Sequence, residues 1–530
     1  MINQNRALRY FLPVIAVFTA IIYFLGFKGV FIYDDYAQIL KKPELHDIFN
    51  FHDVIFCGLR QNRVLQNISF ALNWTIAPGE TWSFKLFNLL LHLINGSLLF
   101  YWLKKVFADK PYLAILATSL FLIHPLQIQS VTYAMGVIML FHAFFYLLAL
   151  NWYAKYSLTR MPMLMLIVAV SLVARETCAL IPLVLLVYEL LIVKTPIREL
   201  PKSKWAILFM VPFLIYPLSI ILHDPGASMY ASYGGLYPFW THLASQAYFQ
   251  CFYLLLFINP TLQSLIHANP HFDALHILGT VIGVSIWIGG LVFLISKYKT
   301  RPRATFFVFL FFLNYLPTNS FVQFINPFAE YRLYLSNLSL CVLLAYGLHV
   351  LATWLTEKAK LTAAHITVPA IACSIFAIFT LQNVMIWKNW ELILAQAIKR
   401  YPANDYNYLI QGIEYLHAYD FKNSYNSFNQ ARFLAGRMDA ELESNLYILA
   451  ASCYQARDYS LAWQIVDQME KDTQKAPLDE NFSKFKDELE QKMKSLGLST
   501  ESHWSGNSGV VKAMSTKMLL KGAPSATPAH

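Results

Sequence analysis

The stretch FKLFNLLLHLINGSLLFYWL, residues 84–103, decides the fold of this chain, because it is mostly apolar and long enough to cross a membrane. A helix rises about 1.5 Å per residue, so such a run spans a hydrocarbon core about 30 Å thick. Similar blocks recur, and the predicted spans are approximately residues 10–27, 84–103, 112–124, 131–152, 161–174, 177–193, 205–222, 274–296, 304–318, 333–354 and 366–386. The sequence therefore predicts an all-α, polytopic helical membrane protein with about eleven spans.

The composition excludes an ordinary soluble protein. Hydrophobic residues make up 57% of the chain and charged residues 14%, and the mean hydropathy is +0.44. The first apolar run, residues 10–27, is too long for the core of a signal peptide and predicts an uncleaved span. The six cysteines show no C-x-x-C spacing, so neither a zinc site nor a disulfide scaffold is indicated.

Short basic loops set the predicted orientation. Lys and Arg cluster between apolar blocks, as at residues 104–110 and 297–303, which is typical of cytoplasmic loops. The net charge of +10 therefore does not indicate nucleic acid binding. This orientation places residues 28–83, and everything after Trp387, on the outer face. The apolar stretch 241–259 is predicted to be re-entrant or paired with a short partial return, because a full crossing would turn the 297–303 cluster outward.

The C-terminal part has a soluble helical pattern that repeats with an offset of 38 residues. Leu409, Gly412, Leu416, Phe421, Ser424 and Phe428 match Tyr447, Ala450, Tyr454, Tyr459, Ala462 and Val466. Small residues at the helix crossing and aromatic residues at the turn resemble tetratricopeptide (TPR) helix pairs, and a generic helical hairpin domain is the alternative. The predicted organisation is a transmembrane domain over 1–390, a TPR-like domain over 391–498 and a disordered tail over 499–530.

Two adjacent acids, Asp34 and Asp35, follow the first span on the outer face. Like charges raise each other's pKa, and a carboxylate with a raised pKa is suited to take a proton from an attacking hydroxyl. The alternative is a solvated pair that caps a short helix. Two carboxylates are fewer ligands than a divalent cation usually takes, so a metal role stays open at this point.

Further charged and polar groups are predicted on the same face. Guanidinium groups bind phosphate through a bidentate fork, which makes Arg332, Arg175 and Arg63 candidate phosphate ligands. An ion pair of Arg332 with Glu330, and one of Arg175 with Glu176, are the structural alternatives. His124 precedes Pro125 at an outer turn, where it is a candidate donor or base. The chain has no Walker A, Rossmann, H-E-x-x-H or G-x-S-x-G motif, so cytosolic nucleotide chemistry is not indicated.

The ordered set of motifs resembles one family. Phe31-Ile-Tyr-Asp34-Asp35 resembles the acidic first-loop motif of GT-C glycosyltransferases. The other motifs resemble the transmembrane-and-TPR protein O-mannosyltransferase family and its bacterial relatives. They are Asn88-Leu-Leu-Leu-His92-Leu-Ile-Asn95, His124-Pro-Leu-Gln-Ile-Gln-Ser-Val-Thr-Tyr133, Arg175-Glu176 with Pro182 and Tyr188-Glu189, Leu316-Pro-Thr-Asn319, and Glu330-Tyr-Arg332-Leu-Tyr334-Leu. One departure is Gly136-Val137-Ile138, where relatives often carry a basic residue that would be a third phosphate contact.

The resemblance implies a GT-C enzyme that takes a sugar from a polyprenyl-phosphate donor on the outer face of a bacterial inner membrane. It transfers the sugar to a Ser or Thr of an exported protein, and the C-terminal domain is periplasmic. One of Asp34 and Asp35 would be the base, with Asp34 preferred. Arg332, Arg175 and Arg63 would hold the donor phosphate, while Glu176, His124, Glu330 and Tyr334 would support the site. Membrane lipids, the donor, the acceptor and a protein bound by the TPR-like domain are the expected partners.

Three alternatives stay open. In the first, the chain is still a glycosyltransferase, but its acceptor is a lipid or a cell-envelope glycan. In the other two, which belong to other classes, the chain is a transporter or flippase, or a non-catalytic TPR scaffold. Transporters place ionisable residues near the membrane centre and show paired halves, whereas this chain gathers them on one face.

Overall fold

The computed structural model describes residues 4–60, 63–157, 161–196, 239–267, 273–319, 328–436, 440–472 and 480–498. Within these ranges the chain is helical and contains no strand. It divides into two compact units, residues 1–400 and 401–530.

Unit 1 holds the long apolar helices. Over the described ranges, six are long and apolar enough to cross a membrane: Thr81–Val106, Ala134–Tyr156, Glu176–Val193, Ala274–Lys297, Glu330–Lys358 and Ala364–Ile386. A seventh candidate is the pair Pro111–Ile123 and Pro125–Thr132, which is bent by 54°. These helices make the chain a helical membrane protein. The predicted span 205–222 lies outside the described residues.

Shorter helices occupy other predicted apolar blocks. Tyr10–Phe24 and Met161–Leu172 are apolar but shorter. The predicted span 304–318 overlaps the 14-residue helix Pro302–Tyr315. The stretch predicted to be re-entrant is one continuous helix, Phe239–Ile258.

The helix Phe239–Ile258 packs against Ala274–Lys297 through small residues. A Cβ atom on Gly283 would lie 1.7 Å from the carbonyl oxygen of Ala247, and one on Gly279 would lie 2.7 Å from the ring of Tyr248. Glycines four residues apart allow two helix backbones to approach closely, as is common between membrane helices. The pair is therefore fixed by backbone contact.

Polar residues on one face of Thr81–Val106 satisfy backbone carbonyls of neighbouring helices. Asn88 Nδ2 donates to the carbonyl of Tyr133 at 2.9 Å, and His92 Nε2 donates to that of Leu122 at 3.1 Å. Asn95 Nδ2 donates to the carbonyl of Leu140 at 2.9 Å. Unpaired carbonyls are costly in a membrane, especially where helices break. This face of the helix therefore holds the bent segment before residue 137 in place.

The loop after the first helix carries several charged and polar residues. Its elements are a π-helix Tyr36–Leu40, a 3₁₀ turn Pro43–Leu45, and the helices Phe51–Arg60 and Val64–Ile76. The backbone N–H of Leu65 donates to the carbonyl of Val173 at 3.5 Å. This bond joins the loop to the chain immediately before Arg175.

The helices of unit 2 are Asp405–His417, Phe421–Ala435, Ala440–Gln455, Tyr459–Asp472 and Glu480–Ser495. Its interhelical turns repeat with the predicted 38-residue offset. Tyr419 and Arg457 both have positive φ, at 59° and 64°. Asp420 and Asp458, one residue further on, both accept a backbone N–H from the start of the next helix, at 3.2 and 3.1 Å. The two hairpins thus share one turn geometry.

Gly412 lies at the crossing of the first two helices of unit 2. A Cβ atom there would lie 2.4 Å from the ring of Phe428. Ser424 Oγ donates to the Gly412 carbonyl at 2.8 Å. Close helix contact therefore explains why a small residue stands at this position.

Candidate functional site

The acid pair begins a short helical turn that continues as the π-helix Tyr36–Leu40. Tyr33, the residue before the pair, has a φ of 58°. Positive φ is uncommon for a residue with a Cβ atom and marks a locally constrained backbone. The turn separates the two side chains into different environments.

Asp35 is buried and faces the protein interior, with 2% of its surface exposed. Its Oδ2 accepts the backbone N–H of Ile32 at 3.3 Å. Burial raises the pKa of Asp35 well above its usual value, and the charge of Asp34 adds to that shift, while Lys85 opposes it. Lys85 is itself buried and donates from Nζ to the Gly26 carbonyl at 3.1 Å. Asp35 therefore has a structural role beside Lys85.

Asp34 is half-buried and faces cations. Its backbone N–H donates to the hydroxyl oxygen of Tyr133 at 3.2 Å. Burial raises the pKa of Asp34, whereas Arg332, Arg63 and a hydrogen bond from Tyr133 act to lower it. Asp34 is thus a partly accessible carboxylate with a raised pKa and two guanidinium groups nearby.

Three arginines from distant parts of the sequence influence this region: Arg332 and Arg63 act on the charge of Asp34, and both also act on that of Arg175. Arg332 lies in the 3₁₀ turn Glu330–Leu333, and Arg63 directly precedes the helix Val64–Ile76. Arg175 precedes the turn Glu176–Leu180, is buried, and contacts the sulfur of Met139. Burial lowers the pKa of Arg175, and the charges of Arg63 and Arg332 lower it further.

Clustered guanidinium groups repel one another, because arginine stays charged at physiological pH. Asp34 lies close enough to Arg63 and Arg332 to lower this repulsion, and Glu176 acts on Arg175. An anion that accepts bidentate hydrogen bonds would lower the repulsion further. The arrangement can therefore bind a phosphate group beside a carboxylate that accepts protons.

Glu330 was expected to pair with Arg332 or to support the site, but its carboxylate bonds to other residues. Its carboxylate is fully buried and accepts from the Ser264 N–H at 2.7 Å, from Gln263 Nε2 at 3.0 Å, and from His267 Nε2 at 2.8 Å. Gln263 Nε2 also donates to the Pro125 carbonyl at 3.0 Å. Glu330 thus anchors the turn that carries Arg332 to the 260–267 segment.

His124 and Tyr334 are engaged elsewhere. His124 Nδ1 accepts the Leu126 N–H at 3.2 Å, and its ring stacks on Phe257 at a centroid distance of 4.5 Å. The Tyr334 hydroxyl donates to His92 Nδ1 at 2.6 Å inside the bundle. Both residues therefore stabilise the helix packing. Glu176 is exposed next to Arg175.

Two residues of this region were not among the predicted site residues. Tyr133 was noted only as part of a motif, and nothing in its sequence position indicates a contact with Asp34. Lys85 had a signal that was missed, since it is a lone charge within the apolar run 84–103. Such charges in a span usually have a buried partner or a function.

The donor set does not fit a divalent cation. The described ranges hold no group of three or more His, Cys, Asp or Glu side chains that could bind a metal ion. Arg332 and Arg63 act on Asp34, and Lys85 acts on Asp35, so a cation at this pair would be repelled by positive charges already present. A metal would need more oxygen ligands than this pair offers.

Comparison of the chain with protein-family models, with curated proteins and with solved structures finds no match.

Proposed function

We propose that this chain is an inverting membrane glycosyltransferase of the GT-C type. It moves a sugar from a polyprenyl-phosphate donor to a Ser or Thr hydroxyl of an exported protein, at the outer face of a bacterial inner membrane. The observation that carries the proposal is the half-buried Asp34 with Arg332 and Arg63 close to it and Arg175 beside them. A general base next to a phosphate-binding cluster is what glycosyl transfer from a lipid phosphate requires.

In the proposed reaction, the acceptor oxygen attacks the anomeric carbon of the donor. Asp34 takes the hydroxyl proton as the new C–O bond forms. The bond between the anomeric carbon and the phosphate oxygen breaks, and the polyprenyl phosphate leaves with that electron pair. Arg332, Arg63 and Arg175 stabilise the charge that develops on the leaving phosphate.

Asp34 is assigned as the base rather than Asp35 because only Asp34 is partly accessible. Asp35 is held by the Ile32 N–H and lies beside Lys85 in the interior. The raised pKa of Asp34 makes it a stronger base than an exposed aspartate. Asp35 then keeps the loop backbone in the geometry that presents Asp34.

The proposal includes a finer architecture. The transmembrane part has eleven spans, with the 241–259 helix re-entrant, and unit 2 is a TPR-like periplasmic domain. Stacked helix pairs form concave surfaces that bind extended peptides. The repeated turns at Tyr419–Asp420 and Arg457–Asp458 support a repeat. Unit 2 would accordingly present the acceptor protein.

The test is mass spectrometry of exported proteins from cells with and without this chain. The proposal predicts Ser- or Thr-linked hexose or pentose on specific peptides only when the chain is present. A change in envelope glycan or lipid, with the exported proteins unaltered, would instead support the alternative in which the acceptor is a lipid or a cell-envelope glycan. Identical proteins, glycans and lipids in both cell types would contradict the proposal.

A further inference from the structure

Tyr133 lies in the turn between the bent segment and the helix Val137–Tyr156 and is 2% exposed. Its carbonyl accepts from Asn88 Nδ2 at 2.9 Å. Its ring packs near Trp387 and Tyr331, at centroid distances of 6.0 and 6.2 Å. The side chain is therefore held from several directions before any substrate binds.

The hydroxyl of Tyr133 lies against Asp34. Its oxygen accepts the backbone N–H of Asp34 at 3.2 Å, and Tyr133 acts to lower the pKa of the Asp34 carboxyl. A hydroxyl has one proton and two acceptor lone pairs, so this oxygen can accept the N–H and still donate its proton to the carboxylate. One neutral group can therefore act on both the backbone and the side chain of Asp34.

We propose that Tyr133 is the positioning residue of the base, orienting the Asp34 carboxylate toward the acceptor hydroxyl and stabilising its ionised form. This inference rests on the proposed function of Asp34. The arginines cannot replace Tyr133 in this role, because a bound donor phosphate engages their N–H groups. Tyr133 is the neutral donor that remains with Asp34 while the phosphate is bound.

Among the described residues, the charged and titratable groups that act on Asp34 and Tyr133 are Arg332, Arg63, Asp35, Tyr33 and Tyr331. Of these, the two arginines also favour the ionised form of Asp34, so removing the Tyr133 hydroxyl leaves their effect in place. A shift caused by the substitution Tyr133→Phe therefore reports the lost hydrogen bond.

The experiment compares wild type, Tyr133→Phe and the control Tyr331→Phe, each as the full chain in vesicles of native lipid. Infrared difference spectra recorded over a pH series follow the protonated carboxyl band that Asp34→Asn removes. Loss of the Tyr133 donor raises the pKa of Asp34, so the band titrates at higher pH in Tyr133→Phe and is unchanged in Tyr331→Phe. The readout needs no substrate.

The second measurement is sugar transfer to endogenous acceptors in membranes that retain their own donor lipid. In Tyr133→Phe we expect the rate of sugar transfer to fall about 10-fold or more. We also expect the acid limb of the pH–rate profile, where activity is lost because the base becomes protonated, to move to higher pH. Thermal stability close to wild type separates this from misfolding. An unmoved Asp34 band would overturn the role of Tyr133 while leaving the proposed function intact. Full transfer by Asp34→Asn would instead overturn the base assignment.

Discussion

The backbone N–H of Asp34 donates to the hydroxyl of Tyr133 across 3.2 Å, joining residues 99 positions apart in the sequence. This bond connects the loop after the first helix to the turn that follows the bent helix pair. Because Arg332 and Arg63 also act on Asp34, this one residue receives contributions from three other positions in the sequence, Arg63, Tyr133 and Arg332. The candidate site is therefore a product of tertiary structure.

Arg332 is predicted to require its guanidinium shape as well as its charge. Arg332→Ala should lower transfer by about 10²–10³-fold, because a group that stabilises charge on the leaving phosphate is lost. Arg332→Lys should give an intermediate rate, since an ammonium is a point charge without the bidentate fork. The rates are compared by mass-spectrometric sugar occupancy. Equal, full activity of both variants would contradict phosphate binding by Arg332.

The acid limb of the pH–rate profile for sugar transfer is predicted to lie at a higher pH than the usual pKa of an aspartate. The base must be ionised to act, and burial raises the pKa of Asp34. Arg63→Gln should move the limb to still higher pH, since Arg63 lowers that pKa. Arg63→Lys keeps the charge and is the matched control. The measurement is transfer in membrane vesicles over a pH series. A limb that is the same in Arg63→Gln and wild type would speak against this electrostatic coupling.

Lys85 and Asp35 are predicted to be coupled in stability. Lys85→Met leaves the buried Gly26 carbonyl without its donor and removes a positive charge that acts on Asp35, so it should reduce the free energy of unfolding by about 1–3 kcal/mol. Asp35→Asn should also be destabilising. The double variant should lose less than the sum of the two single losses, because neither charge is then left alone. Denaturation in detergent measures all three, and strict additivity would show that the residues act independently.

Unit 2 is predicted to depend on the small residue at position 412. Gly412→Ala places a Cβ atom against the ring of Phe428 and should destabilise the first helix pair by about 1–3 kcal/mol. Hydrogen exchange in Asp405–His417 and Phe421–Ala435 should accelerate. Gly347→Ala is the control, because no atom lies within 4 Å of its Cβ position. Unchanged exchange in Gly412→Ala would refute the packing argument.

Apolar run length predicted the membrane-protein class, because a membrane-crossing helix must satisfy its own backbone polar groups and expose apolar side chains. The acid pair and the arginines that act near it were also predictable as residue types. Which of these residues come close together in the structure was not predictable. Glu330 was expected near the reaction, yet its carboxylate is occupied by His267, Gln263 and Ser264, which come from a segment without a sequence signal.

The different roles of Asp34 and Asp35 likewise could not be derived from two adjacent acids. They depend on the positive φ of Tyr33, which turns one carboxylate toward Lys85 and the other toward Arg332 and Arg63. Lys85 was the one informative residue that sequence reasoning could have used, since an isolated charge in an apolar span has a buried partner or a function.

The most direct test of the central claim compares Asp34→Asn with Asp53→Asn in cells that lack the chromosomal copy. Asp53 is an acid of the same loop, and its carboxylate is engaged locally by Asn50 and His52. Both variants should insert in the membrane at wild-type levels. Sugar occupancy on the acceptor peptides should fall by about 10²–10⁴-fold in Asp34→Asn, as expected for loss of a general base, and stay at the wild-type level in Asp53→Asn. Wild-type occupancy in Asp34→Asn would contradict the assignment.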